Sequence, residues 1–165
     1  IAVCGSSAGG HLAASISTLW NNEKVFTKEE IESRRMRPDA TVLSYPVITS
    51  GEKRHHGSFK GLTGIDNAAD PLWEFLSLEK RVNDDTPPAF LWHCFDDPEV
   101  PVENSIYYAE ALRDHNIPFE LHIYPKGGHG IQLTTQRILR SRSMFPRDYN
   151  WHKMSVDWLA DVFGL

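Results

Sequence analysis

A glycine-framed serine, two neighbouring aspartates and a glycine-flanked histidine are the residues of this chain whose types and order could do nucleophilic chemistry. Ser7 lies in Gly5-Ser6-Ser7-Ala8-Gly9, the G-x-S-x-G spacing of a strand-to-helix nucleophile elbow, and Ser6 falls outside that frame. On so tight a turn the residues two before and two after the serine are expected to lack side chains, so that strand and helix can approach. A serine hydroxyl becomes a useful nucleophile only when a base takes its proton and a carboxylate holds that base in one tautomer. The elbow therefore demands an acid and then a histidine downstream, each on a loop just after a strand.

His129, in Gly127-Gly128-His129-Gly130 directly behind the strand-like run Phe119 to Tyr124, meets the demand for a base. His115 sits at a helix end, His122 in mid-strand and His152 on the terminal helix. Asp96 and Asp97 both follow the strand-like run Ala89 to Phe95, and spacing does not choose between them. Glu99 is a third option, and one of the two aspartates could instead cap the helix expected from about Val102. His11, in the first turn after the elbow, reads as a packing or hydrogen-bonding residue. The pair His55-His56 lacks the spacing of a metal site, so neither structural zinc nor any other cofactor is expected.

These residues need elements to hold them. Ile1 to Cys4 reads as a short buried strand, and Leu12, Ala13, Ile16, Leu19 and Trp20 recur at helical spacing behind it. The free N–H groups of a helix starting near Ala8 would face an oxyanion forming at Ser7, with the Ala8 amide as donor. Thr27 is placed to cap a short exposed helix, Ala40 to Ile48 reads as a second strand left at Pro46, and Thr49 to Asp70 as a loop-rich segment with room for a helical turn. A helix is expected from Pro71, capped by Asp70, to about Arg81. Its apolar residues are too many for one face, which predicts that part of it lines a pocket. Further on come a strand to Phe95, a helix from Val102 to His115, and a strand with Phe119, Leu121 and Ile123 on one face. The terminal helix carries an apolar stripe of Trp151, Met154, Trp158, Leu159, Val162 and Phe163. Strands alternating with helices predict an α/β fold, a mostly parallel sheet covered on both faces with its functional loops at the strands' C-terminal ends.

The chain has 165 residues, enough for one domain with a sizeable core, and its 41% hydrophobic and 24% charged residues argue against disorder. A net charge of −5 gives no reason to expect nucleic acid or an anionic membrane as partner. The basic clusters Arg34 to Arg37 and Arg137 to Arg142 read as solvated faces. No run is long and apolar enough to span a membrane, and no signal peptide is seen. Cys4 and Cys94, both in apolar strand-like runs, read as free buried thiols, which fits a reducing, cytoplasmic compartment.

Four motifs in order carry a family resemblance: Gly5-Ser6-Ser7-Ala8-Gly9-Gly10-His11-Leu12-Ala13, Ser44-Tyr45-Pro46-Val47, Asp97-x-x-Val100-Pro101 with Glu103-Asn104-Ser105, and Gly127-Gly128-His129-Gly130. Together they resemble the α/β-hydrolase superfamily, and within it the acetyl-esterase and carboxylesterase-like branch that includes acetyl-xylan esterases. The resemblance implies that Ser7 is the nucleophile, Asp97 the triad acid, His129 the base and the Ala8 N–H one oxyanion donor. It implies a cover over the site from about residues 50–82, with Phe59, Trp73 and Phe75 shaping the substrate, a small ester. The family has several strands before the elbow and draws its second oxyanion donor from among them. Residues 1–165 therefore look like the C-terminal part of such a domain, from elbow to last helix. The edge of the first strand would be open, which predicts either upstream residues or closure against another copy in a homo-oligomer. The expected function is a serine esterase for small acyl esters, acetylated sugars among them. A serine peptidase of the same fold and a non-catalytic binding protein are the rivals.

Overall fold

Four apolar runs pair in chain order into one parallel sheet, β1 (Ala2–Ser6), β2 (Ala40–Ser44), β3 (Ala89–Cys94) and β4 (Phe119–Tyr124). Between and after them lie α1 (Ala8–Leu19), α2 (Lys28–Ser33), α3 (His56–Thr63), α4 (Pro71–Phe75), a 3-10 turn at Leu78–Lys80, α5 (Glu103–Asp114) and α6 (Trp151–Phe163). The computed structural model describes residues 1–130 and 150–165. The basic cluster from Arg137 to Arg142 and most of the polar stretch before α6 lie outside the described residues. Among the described residues no helix is long and apolar enough to cross a membrane.

Alternation along the central strands sends residues to two cores. On one face Leu43, Ala89 and Leu91 pack with Ala13, Ala14 and Leu19 of α1 and Tyr108 and Leu112 of α5. On the other, Val42, Phe90, Trp92 and Cys94 meet Trp151, Met154, Trp158 and Leu159 of α6. Every residue of β2 and β3 is buried, as a strand covered on both faces must be. Burying a side chain such as Leu91 contributes roughly 1.5–3 kcal/mol. Between α3 and α4 a smaller cluster of Val47, Phe59, Trp73 and Val100 forms beside the C-terminal ends of the strands.

Local chemistry sets the helix ends. Thr27 and Glu30 form a reciprocal capping box on α2, and the Asp70 carboxylate accepts the Leu72 N–H to start α4, with Pro71 in its first turn. The single helix expected from Pro71 to Arg81 is broken at Ser77, whose hydroxyl accepts the Ser50 N–H and donates to Glu79. The loop-rich stretch before it holds an eight-residue helix, α3, started by the His55 ring accepting the Ser58 N–H. β1 departs from the buried strand expected. Its residues are half-buried and Cys4 is exposed, because β1 is the outer strand of the sheet and pairs only with β2 among the described residues. Leu12, expected on the packed face of α1, is 73% exposed. Val162 and Phe163 of the terminal stripe are also exposed, while Trp151, Met154, Trp158 and Leu159 carry the packing.

Candidate active site

Ser7 stands between β1 and α1 with φ 53° and ψ −122°, a left-handed conformation that costs a non-glycine residue about 1–3 kcal/mol. Three backbone hydrogen bonds hold it there. Its N–H donates to Ser44 O at 3.0 Å, and its carbonyl accepts from His11 N at 3.2 Å and Val47 N at 3.1 Å. The end of β2, Ser44-Tyr45-Pro46-Val47, thus clamps the elbow from beside it.

The glycines around Ser7 divide this work differently from expectation. A Cβ on Gly5 would stand 2.0 Å from Gly9 O, and one on Gly10 would stand 2.8 Å from Pro46 Cβ, whereas one on Gly9 would meet nothing within 4 Å. The close approaches are the Gly9 backbone onto Gly5 and Gly10 onto Pro46. Gly9 itself needs no missing side chain.

His129 and Asp97 reach the same place from the ends of β4 and β3. Gly128 and Gly130 flank the histidine with φ of 63° and 80°, a turn that side chains disfavour. Asp96 accepts the Gly128 N–H at 2.9 Å and so pins this loop. His129 Nδ1 lies 2.7 Å from Asp97 Oδ2, and His129 Nε2 lies 2.9 Å from Ser7 Oγ. Because a carboxylate only accepts, Nδ1 donates and Nε2 is left to accept the Ser7 hydroxyl. Tyr45, itself at φ 37°, sets its ring edge-on against the histidine, 4.9 Å between centroids.

The Asp97 side chain is fully buried. Burial is the largest influence on its carboxyl and would raise its pKa. Hydrogen bonds from His93, from His129 and from the backbone N–H groups of Val100 and Glu99 together outweigh it and hold the group well below the usual carboxylate range. Neither aspartate caps α5, whose first residue follows Val102 without a side-chain cap. Glu99 contributes only its backbone N–H to Asp97 Oδ1, at 2.9 Å.

Ala8 opens α1, so its N–H is one of those the helix cannot use itself, at the positive end of the helix dipole and next to Ser7. A cavity of about 340 Å³ adjoins it, lined by Ala8, His11 and Leu12 of α1, Val47, and Phe59 and Leu62 of α3, among others. His11 Nδ1 donates to Val47 O at 3.1 Å, and burial lowers its pKa against the opposing pull of that bond. Of the three aromatics expected to shape a substrate, Phe59 lines this cavity. Trp73 lies behind it, fully buried, its rings 5.3 Å from Phe59 and its Nε1–H on Thr63 Oγ1. Phe75 faces elsewhere, packed on the core under α1 with Lys24 and Arg81 over its ring. His55 and His56 are taken up by Ser58 and Asp66. Among the described residues no group of three or more histidines, cysteines or carboxylates could hold a metal ion.

One residue beside the site escapes a reading by motif: His93, fully buried in β3 and in contact with Asp97. A histidine inside the apolar run Ala-Phe-Leu-Trp-His-Cys was the available signal, since a buried ring nitrogen needs partners.

Several known proteins are similar to this chain in sequence or in fold. Endo-1,4-beta-xylanase B of Butyrivibrio fibrisolvens is 41% identical over 138 residues, 84% of this chain and 21% of its own length. Acetylxylan esterase of Xylanibacter ruminicola is 35% identical over 139 residues, 82% of this chain and 26% of its own. The crystal structure of an acetyl ester-xyloside bifunctional hydrolase from Caldicellulosiruptor lactoaceticus superposes with a TM-score of 0.79 at 41% identity, over 98% of this chain and 56% of that one. A carboxylesterase from Lactobacillus plantarum superposes with a TM-score of 0.75 at 25% identity, over 98% of this chain and 58% of that one. The chain thus spans about a quarter of those two curated relatives and somewhat over half of the solved structures. Its parallel sheet with helices on both faces is the α/β-hydrolase fold of these neighbours. The model of the prolyl oligopeptidase family matches residues 52–162, from the segment beyond β2 through the Asp97 and His129 loops to α6, and the chain belongs to that family.

Proposed function

We propose that this chain carries the nucleophile, base and acid of a serine esterase that removes small acyl groups, acetyl foremost, from carboxylic esters such as acetylated sugars. The observation that carries this reading is the unbroken line of hydrogen bonds from Ser7 Oγ through His129 to Asp97, at 2.9 and 2.7 Å. As Ser7 attacks the ester carbonyl, His129 Nε2 takes its proton and Asp97 stabilises the imidazolium. The tetrahedral oxyanion lies against the Ala8 N–H. His129 then returns the proton to the departing alcohol, and a water activated in the same way frees the acyl group from Ser7.

Residues 50–82 act in this reading as a cover beside the site. Phe59, backed by Trp73, shapes the cavity next to Ala8, and Phe75 only supports the core. The acetyl preference draws on the relatives named as an acetylxylan esterase and an acetyl ester-xyloside hydrolase. A second reading, a serine peptidase, is favoured by the name of the family itself. It predicts cleavage of peptide p-nitroanilides.

Fluorophosphonate labelling with peptide mapping, alongside hydrolysis of p-nitrophenyl acetate, tests the proposal. The chain is expected to gain one adduct, on Ser7, and to hydrolyse the acetate, while Ser7→Ala does neither above background. Hydrolysis that persists in Ser7→Ala, or an adduct elsewhere, would overturn it. Faster turnover of peptide anilides than of acetate esters would select the peptidase.

A further inference from the structure

We infer that His93 is a positioning residue for the Asp97 carboxylate, held in its own orientation by Ser105; the inference rests on the proposed roles of Asp97, His129 and Ser7. His93 and Ser105 are fully buried, as is the Asp97 side chain. His93 Nε2 lies 2.9 Å from Val100 O and 3.3 Å from Asp97 Oδ2. Both partners only accept, so Nε2 bears a proton and shares it between them. Nδ1, 2.8 Å from Ser105 Oγ, then accepts the hydroxyl proton. One ring therefore ties the end of β3 to the loop carbonyl of Val100 and to the first turn of α5.

The Asp97 carboxylate is gripped at both oxygens. Oδ1 accepts the Glu99 and Val100 N–H groups at 2.9 and 3.0 Å, and Oδ2 is shared by His129 and His93. Two bonds on Oδ1 leave the carboxylate free to rock about that oxygen. A second donor to Oδ2, from a buried ring fixed by its own partners, removes that freedom and presents Oδ2 to His129. Packing alone would be served by any apolar side chain of similar bulk, and a misplacement of about 1 Å in such an array can cost on the order of 100-fold in rate.

Steady-state kinetics on p-nitrophenyl acetate with His93→Leu, His93→Gln, Ser105→Ala and Asp97→Asn test this. Leu fills the space without a donor, while the amide nitrogen of Gln stands where Nε2 stood. His93→Leu is expected to lower kcat roughly 10- to 100-fold with KM within about threefold of wild type, and His93→Gln to recover most of the loss. Ser105→Ala, which removes one hydroxyl and little bulk, should lower kcat roughly three- to tenfold at unchanged KM. A folded His93→Leu with wild-type kcat, a loss confined to KM, or a Gln variant no better than Leu would overturn the inference. Should His93→Leu not fold, wild-type kcat in Ser105→Ala overturns it instead. A wild-type rate in Asp97→Asn would mean that the triad reading itself has failed, whereas loss in Asp97→Asn with none in His93→Leu fails this inference alone.

Discussion

Asp97 concentrates the electrostatics of the site, since four hydrogen bonds keep a fully buried carboxyl ionised against the pull of desolvation. The folded-state pKa lies below the unfolded value of about 3.9, so the group contributes stability above that pH, and this is lost as pH falls through the folded pKa. Asp97→Asn removes the titration and turns a hydrogen-bond acceptor towards ambiguity at His129 Nδ1. It is expected to lower kcat by about 10⁴-fold, and the gap in urea midpoint between wild type and variant should narrow below about pH 4. Urea titrations at pH 7, 4 and 3 measure the second effect, and a gap that stays constant with pH would contradict it. The choice of Asp97 over Asp96 illustrates what neighbouring residues conceal in a sequence. Both sit in one loop after β3, but one accepts the His129 Nδ1–H while the other reaches across to the Gly128 N–H.

At the scale of elements, the elbow is a junction of three pieces rather than a turn with permissive glycines. β1, α1 and the end of β2 meet so tightly that Gly5 touches the backbone of α1 and Gly10 touches Pro46. Gly5→Ala and Gly10→Ala are therefore expected to destabilise the fold by several kcal/mol and abolish labelling of Ser7, as overpacking costs typically 1–3 kcal/mol or more where backbone must move. Gly9→Ala, in the first turn of α1 and in open space, should be neutral or stabilise by up to about 0.5–1 kcal/mol. Thermal melts of the three variants check the order, and equal effects would show that the contacts at Gly5 and Gly10 do not matter. Continuous apolar runs located β2 and β3, whose residues are buried on both faces, and the helical stripe located α6. Apolar pattern overextended the helix after Pro71, where the Ser77 hydroxyl is engaged by the backbone of Ser50, a partner 27 residues away in the chain.

Across the whole molecule, the two cysteines record how the sheet is covered. Cys94 lies in the core between β3 and α6, and burial pushes its thiol up to about 12, while Cys4 is exposed on the outer strand. One thiol, at Cys4, is expected to react with Ellman's reagent at pH 8 in the folded chain and two in guanidinium, and two fast thiols in the folded state would contradict the packing of α6. From the sequence alone followed the alternation of strands and helices, the elbow at Ser7 and the histidine loop at 129, because each depends on local pattern: side-chain period, glycine placement and order along the chain. Tertiary structure alone decided that, of the two aspartates spacing left open, Asp97 meets His129, that Phe59 but not Phe75 faces the cavity, and that His93 stands beside Asp97. Those outcomes depend on which side chains converge from separate strands at their C-terminal ends, and convergence in space is set by sheet register and packing, which no single stretch of sequence contains.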